Sequence, residues 1–400
     1  MLAGLSKGER RGFWGAVAVC VAIFFADASQ SLPIPIFPSY AQGLGASLTM
    51  IGVYGSAVGV AMVLLSVPIG SLSDRVGRRG VLLMGFALFV VVPLVYAVSS
   101  SPLHILAARL LLGLAMGSTF GLGFVWVSEA APATKRSLLQ GLYMTSMGLG
   151  FTTGPVIGGY ASSAWGYNAA FAASSLLGAF GLVCLLFVGK ENARPRVAVE
   201  RVSLRRAIAE PGVLAAGITN FVNSLMYGAL STFFPLYGVA VGLAASEVGL
   251  AFTARGLAST AIRFPAGAAS NGRAVLWLLF TGLAAQAVAI GFLASTTSLN
   301  LILLIMAVQG LMYGVSLTAG NVYVTREAHP EHRGAAMGVY QSFSNASNVV
   351  SPVALGALAQ FYGVASALQA AAVVSAIGLL ATVLLARYGA KPAPVTVRVP

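Results

Sequence analysis

From residue 13 to residue 386 the chain is a succession of apolar stretches, each near 20 residues long and, but for one basic segment at 190–210, separated by very short breaks. A helix of about 20 residues crosses a hydrocarbon core of about 30 Å. Backbone polar groups inside such a core find no water, so only helices and closed barrels can span it. Barrel strands alternate polar and apolar positions over about ten residues. These stretches do not alternate, and the expected fold is an all-α membrane protein. Spans are placed at 13–37, 48–71, 80–98, 103–126, 138–160 and 169–188, then at 213–237, 248–269, 274–293, 299–323, 335–361 and 365–386. Composition agrees, because only 8% of residues are charged against about 25% in a soluble domain.

The second six spans repeat the first six at a constant offset of 197 residues. Phe37-Pro38 returns as Phe234-Pro235, Gly52 as Gly249, and Pro68 and Gly70 as Pro265 and Gly267. Gly113 and Gly117 return as Gly310 and Gly314, Tyr143 as Tyr340, and Pro155 and Gly159 as Pro352 and Gly356. Gly and Pro set backbone shape, so their recurrence marks a duplicated structural unit. Two repeats in a membrane chain are the mark of a transporter with its site between them. The expected organisation is two pseudo-symmetric six-helix bundles, 1–189 and 211–400, joined by a basic linker at 190–210.

Charge sets the orientation. All but three of the 23 Lys and Arg fall on one side if the N-terminus is cytoplasmic, which is the positive-inside asymmetry. That places the chain in a plasma (inner) membrane as a multi-pass protein with both termini cytoplasmic. The net charge of +13 is spread over short loops flanking helices, so nucleic acid is not an expected partner. Cys20 and Cys184 both lie in spans, which excludes a disulfide framework. His329-Pro330-Glu331-His332 reads as a solvated turn. No phosphate-binding loop of the G-x-x-x-x-G-K-[ST] form occurs, and no cofactor or metal is expected.

The loop after the second span reads Gly70-Ser71-Leu72-Ser73-Asp74-Arg75-Val76-Gly77-Arg78-Arg79. Here the chain resembles the major facilitator superfamily, whose signature has this G-x-L-x-D-R-x-G-R-R form. The resemblance covers the whole chain and implies twelve helices that rock about a central site, working as a monomer. It implies that Asp74 faces the start of span eleven and latches the outward-facing state, as an acid at the positive end of a helix dipole. The second-half counterpart is two residues shorter and has Asn271 at the acid's place, so the latch is expected to be one-sided. Arg136, after span four, joins this gate cluster, with Arg263 near the inner end of span eight. Glu129 is expected to bridge to Lys135 or Arg136. Span five carries Gly150-Phe151-Thr152-Thr153-Gly154-Pro155-Val156-Ile157-Gly158-Gly159, which resembles the G-x-x-x-G-P-x-x-G-G element of proton-coupled exporters. Close helix packing is the other reading of its glycines.

Ionisable groups at membrane depth are costly and usually functional. Asp27 is the one acid well inside a span, roughly 12–15 Å from its outer end at 1.5 Å per residue. Arg109 and Arg255 lie at comparable depth, and an ion pair with either is expected. Arg109 also opens an R-x-x-x-G element that the resemblance associates with proton coupling. Asp27 then serves as a proton-coupling or substrate-binding group, or as half of a structural ion pair. Polar stripes at helical spacing suggest cavity walls: Gln30 and Ser31 beside Asp27, Asn220, Asn223, Ser224 and Tyr227 in span seven, and Gln341, Asn345 and Asn348 in span eleven. Gln309 and Tyr313 form a pair in span ten. Interhelical hydrogen bonding is the alternative for any single amide. Phe24, Phe25, Phe221, Phe233 and Tyr143 are candidates for aromatic cavity surface. The expectation is a drug:proton antiporter exporting a small amphipathic or cationic solute. A proton symporter or facilitator importing a nutrient, and a lipid flippase, are the alternatives.

Overall fold

The computed structural model describes residues 6–188, 210–329 and 332–389, with the side chains of Lys7, Val67, Asp74 and Tyr388 outside that description. The expected linker therefore lies almost wholly outside the described residues, as do Pro330 and Glu331. Among the described residues there is no strand. Twelve long helices run α1 (Lys7–Ser31), α2 (Leu48–Val76), α3 (Arg78–Val98), α4 (Pro102–Ala130), α5 (Arg136–Trp165) and α6 (Tyr167–Leu186), then α7 (Pro211–Ala240), α8 (Ala245–Ala269), α9 (Ala274–Leu293), α10 (Leu299–Glu327), α11 (Arg333–Tyr362) and α12 (Val364–Gly389).

The first span differs from expectation. Pro33 and Pro35 cannot donate to a helix ladder, so α1 stops at Ser31 and a separate short helix takes up Phe37–Gly43. In the second half Leu230 and Thr232 stand at the places of Pro33 and Pro35, and α7 continues without a break to Ala240. Among the described residues, nine of the helices are long and apolar enough to cross a membrane by length and composition alone. The three that fall short are α5, α8 and α11.

One hydrophobic core gathers buried side chains of α1 to α6 with Leu236 of α7, and another those of α7 to α12. Lipid is as apolar as Leu, so the two halves join by close approach of small residues rather than by hydrophobic burial. They meet along α2 with α11 and along α5 with α8. The duplication makes these two seams copies of each other. A methyl group on Gly52 would strike the Pro352 carbonyl and Gly356, while one on its mate Gly249 would strike the Pro155 carbonyl and Gly159. Gly356 faces the Leu48 carbonyl as Gly159 faces the Ala245 carbonyl. Within each half, Gly113 sits on the Val58 backbone and its mate Gly310 on the Arg255 backbone.

All these inter-half contacts lie at the end of the bundle away from the chain termini. There the Leu48 amide donates to Gln360 Oε1 at 3.0 Å, and the Ser246 amide to Ser163 Oγ at 3.1 Å. At the other end, a methyl on Gly70 of α2, Gly338 of α11 or Gly141 of α5 would meet nothing within 4 Å. Phe264 of α8 is 86% exposed there. The bundle is thus closed at one end and open at the end that bears the termini.

Candidate transport site

Two contiguous hollows lie between the halves, sharing Gln30, Met62, Met116 and Tyr227 in their walls. Their empty volumes are about 1090 and 1020 Å³, counting the part open to solvent, enough for a small organic solute. The hollow toward the closed end is lined by Phe37, Tyr96, Arg109, Ser231, Asn348 and Pro352, among others. The other contains Asp27, Phe120, Phe151, Arg255, Arg263 and Tyr313.

Asp27 is 4% exposed. Gln30, one helical turn on, donates to its Oδ1 at 2.6 Å. Among the described residues no cation lies within 4 Å of its carboxylate, so the expected ion pair with Arg109 or Arg255 is not formed. The two arginines are turned to aromatic rings instead. Arg109 places its guanidinium carbon 3.4 Å from the centre of the Phe37 ring and 5.9 Å from that of Tyr96. Arg255 lies 4.8 Å from the Tyr313 ring and 5.4 Å from the Tyr227 ring. A cation over a ring face is held by the ring quadrupole, most strongly where water is excluded.

Behind Arg255 stands a chain of amides. Its Nε donates to Gln309 Oε1 at 2.6 Å, and Gln309 Nε2 donates to Gln286 Oε1 at 3.2 Å. Gln286 Nε2 donates in turn to Asn223 Oδ1 at 3.1 Å and to Ser316 Oγ at 2.8 Å. This chain ties α7, α8, α9 and α10 together and fixes the guanidinium from its inner side. Gln286 was missed by the stripe argument, although it is the lone amide of an otherwise apolar helix.

Several expected cavity residues lie elsewhere. Ser31 packs α1 on α5, donating to Ala28 and Gly150 carbonyls at 3.3 and 3.4 Å. The Tyr143 hydroxyl donates to the Phe120 carbonyl at 2.6 Å from a fully buried position. Asn220 Nδ2 donates to the Tyr340 carbonyl at 2.9 Å, and Ser224 Oγ meets Ser344 Oγ at 2.6 Å, so both join α7 to α11. Asn223 and Gln309 belong to the amide chain. Gln341 is exposed, with Nε2 3.5 Å from Asn345 Oδ1, and neither lines the hollows. Of the span-seven stripe only Tyr227 reaches the cavity, and of the span-eleven stripe only Asn348. Phe233 is fully buried in the second core. The cavity's aromatic surface comes from Phe37, Phe89, Tyr96, Phe120, Phe151, Tyr227 and Tyr313.

The span-five element acts by packing. Gly150, Gly154 and Gly158 set one face of α5 against Phe24, Ala28 and Leu32 backbone of α1, while Pro155 and Gly159 set another against α8. At the loop after α2, Gly77 takes φ +83°, the left-handed region that favours glycine, and lets α3 begin at Arg78. Arg78 forms an ion pair with Glu129 of α4, in place of the expected Lys135 or Arg136. Arg79 donates to the Leu186 carbonyl at 3.0 Å, tying α3 to the end of α6. Arg75 and Arg136 are exposed. The Asp74 side chain lies outside the described residues. Arg263, expected at the gate, lines the cavity.

A model of the Major Facilitator Superfamily matches this chain twice, at residues 19–217 and 216–399. An uncharacterized MFS-type transporter of Methanocaldococcus jannaschii is 22% identical over 349 residues, covering 85% of this chain and 90% of that protein. The 4-hydroxybenzoate transporter PcaK of Pseudomonas aeruginosa is 32% identical over 197 residues, which span 48% of this chain and 43% of that transporter. Among solved structures, an inward-facing, occupied bacterial homolog of the human lysosomal transporter Spinster superposes with a TM-score of 0.82 at 14% identity, covering 98% of this chain and 100% of that one. A single-residue mutant of the nucleoside transporter NupG superposes with a TM-score of 0.77 at 14% identity, over 93% of this chain and 99% of that one.

Proposed function

The chain belongs to the Major Facilitator Superfamily, a family of secondary transporters rather than enzymes, and on that premise we propose that it couples proton movement to uptake of a small organic solute by alternating access. The observation that carries this reading is Asp27, a buried carboxylate in the wall of the cavity between the halves, held by Gln30 and by no cation within 4 Å. An acid with no cation in contact gains from a proton when its cavity is dry and loses it when the cavity opens to water. Basic loops on the side of the termini support cytoplasmic ends and a plasma-membrane setting. The open end then faces the cytoplasm. The cavity is complete within one chain, which supports a working monomer.

Uptake is favoured over drug efflux on two grounds. Its relatives include transporters of 4-hydroxybenzoate and of gallate. The span-five element, which resembles exporters, is accounted for by helix packing that either kind of carrier needs. Antiport remains the second reading on the strength of that element. Proteoliposomes loaded with a pH-sensitive dye separate the two. In symport the lumen acidifies when substrate is added outside, and in antiport it becomes more alkaline. Asp27→Asn is expected to abolish flux driven by a pH gradient while leaving substrate counterflow intact. Gradient-driven flux that survives this change removes Asp27 from the coupling step.

A further inference from the structure

The cavity holds more positive charge than its own residues neutralise. Arg109, Arg255 and Arg263 line it, and among the described residues Asp27 is its single acid. Arg255 is the most deeply set, 2% exposed, with Nε engaged by Gln309 and the ring faces of Tyr313 and Tyr227 beside it. Its Nη2 is buried and has no partner, and the Nε atoms of Arg109 and Arg263 share that condition. A buried charged donor without an acceptor is costly, and a guanidinium presents its donors in a planar fork that matches a carboxylate. The amide chain from Gln309 to Asn223 holds that fork in place, so binding an anion requires little reordering. The neighbouring wall is Met62, Met116, Phe120, Met147 and Phe151, which suits a flat apolar body.

We infer that the substrate is a small organic carboxylate with a flat, apolar body, its carboxylate bound by Arg255. This rests on the proposal that this cavity is the transport site. A cationic solute meets three guanidinium groups here, which argues against the cationic drug expected from the sequence. An uncharged solute leaves the Arg255 charge unneutralised.

The test is equilibrium binding of radiolabelled probes to the purified full chain in detergent. Benzoate, phenylacetate and cyclohexanecarboxylate are compared with their uncharged amides and with benzylammonium. At least one carboxylate is expected to bind 10-fold or more tighter than its amide, with no binding of the ammonium. Arg255→Gln is expected to weaken the carboxylate by about 10- to 100-fold, the value of hydrogen bonds to a charged group, and to leave the amide unchanged. Arg255→Lys, which keeps the charge and loses the fork, falls between. The inference is overturned if no carboxylate binds, or if an amide or the ammonium binds as tightly. The wild-type comparison decides even if the variants do not fold. Carboxylate binding without gradient-driven flux in proteoliposomes sinks the proton-coupled reading and leaves this one standing; gradient-driven flux of a neutral or cationic solute does the reverse.

Discussion

Wedging the closed end apart should drive the protein toward its opposite state. In the structure a Cβ on Gly52 lies 3.0 Å from the Pro352 carbonyl carbon and 3.1 Å from Gly356 Cα, and closer still to the Pro352 oxygen. These are backbone atoms and cannot rotate away. Overpacking of this kind costs about 1–3 kcal/mol. It is felt only while α2 and α11 touch, so Gly52→Ala shifts the balance between end-closed and end-open forms by about 5- to 150-fold. Gly249→Ala does the same to the α5–α8 seam. The two seams share no residue, so the costs add to about 2–6 kcal/mol in the double variant. The assay places a cysteine at Ser231, in the hollow next to the closed end, after replacing Cys20 and Cys184. A membrane-impermeant maleimide added outside right-side-out vesicles labels it only when that end opens. Labelling is expected to accelerate with each glycine replaced. An unchanged rate in a folded double variant would refute the idea that these contacts hold the end shut.

Two further outcomes test the placement of single residues. Tyr143→Phe removes the hydroxyl donor to the Phe120 carbonyl; it should cost about 0.5–1.5 kcal/mol of stability, read as a lower thermal midpoint, with substrate affinity unchanged because the side chain lies outside the cavity. Gly77→Ala forces a side chain into a left-handed turn, at about 1–2 kcal/mol, and the same thermal measurement should register it, whereas Gly141→Ala, which meets open space, should change little beyond a helix-propensity gain.

The helices were legible because twenty apolar residues in a row admit few structures, and the duplication because Gly and Pro recur at one offset. The exception at the first span came from Pro33 and Pro35, whose effect on the ladder outweighs their apolar character. Asp27, Arg109 and Arg255 stood out since a charge inside an apolar run needs a reason. Their partners were not legible. Depth along a helix says nothing of azimuth, so three ionisable groups at one level faced two glutamines and several rings rather than each other. The span-seven stripe failed for a related reason. Residues at i, i+3 and i+4 share a face, but in a packed bundle that face touches more than one neighbour: Asn220 and Ser224 meet α11, Asn223 meets α9 and α10, and Tyr227 alone meets the cavity. The Met and Phe walls carry no signal in a chain that is 58% hydrophobic.

The seams are duplicated, but the charged groups between them are not. Asp27 corresponds to Ser224, Arg255 to Val58 and Arg109 to Met306, so the hinge is a two-copy frame and the chemistry is single-copy cargo mounted upon it. Selection can therefore retune what is carried by editing one wall, while the rocking motion, written twice in glycine and proline, stays intact.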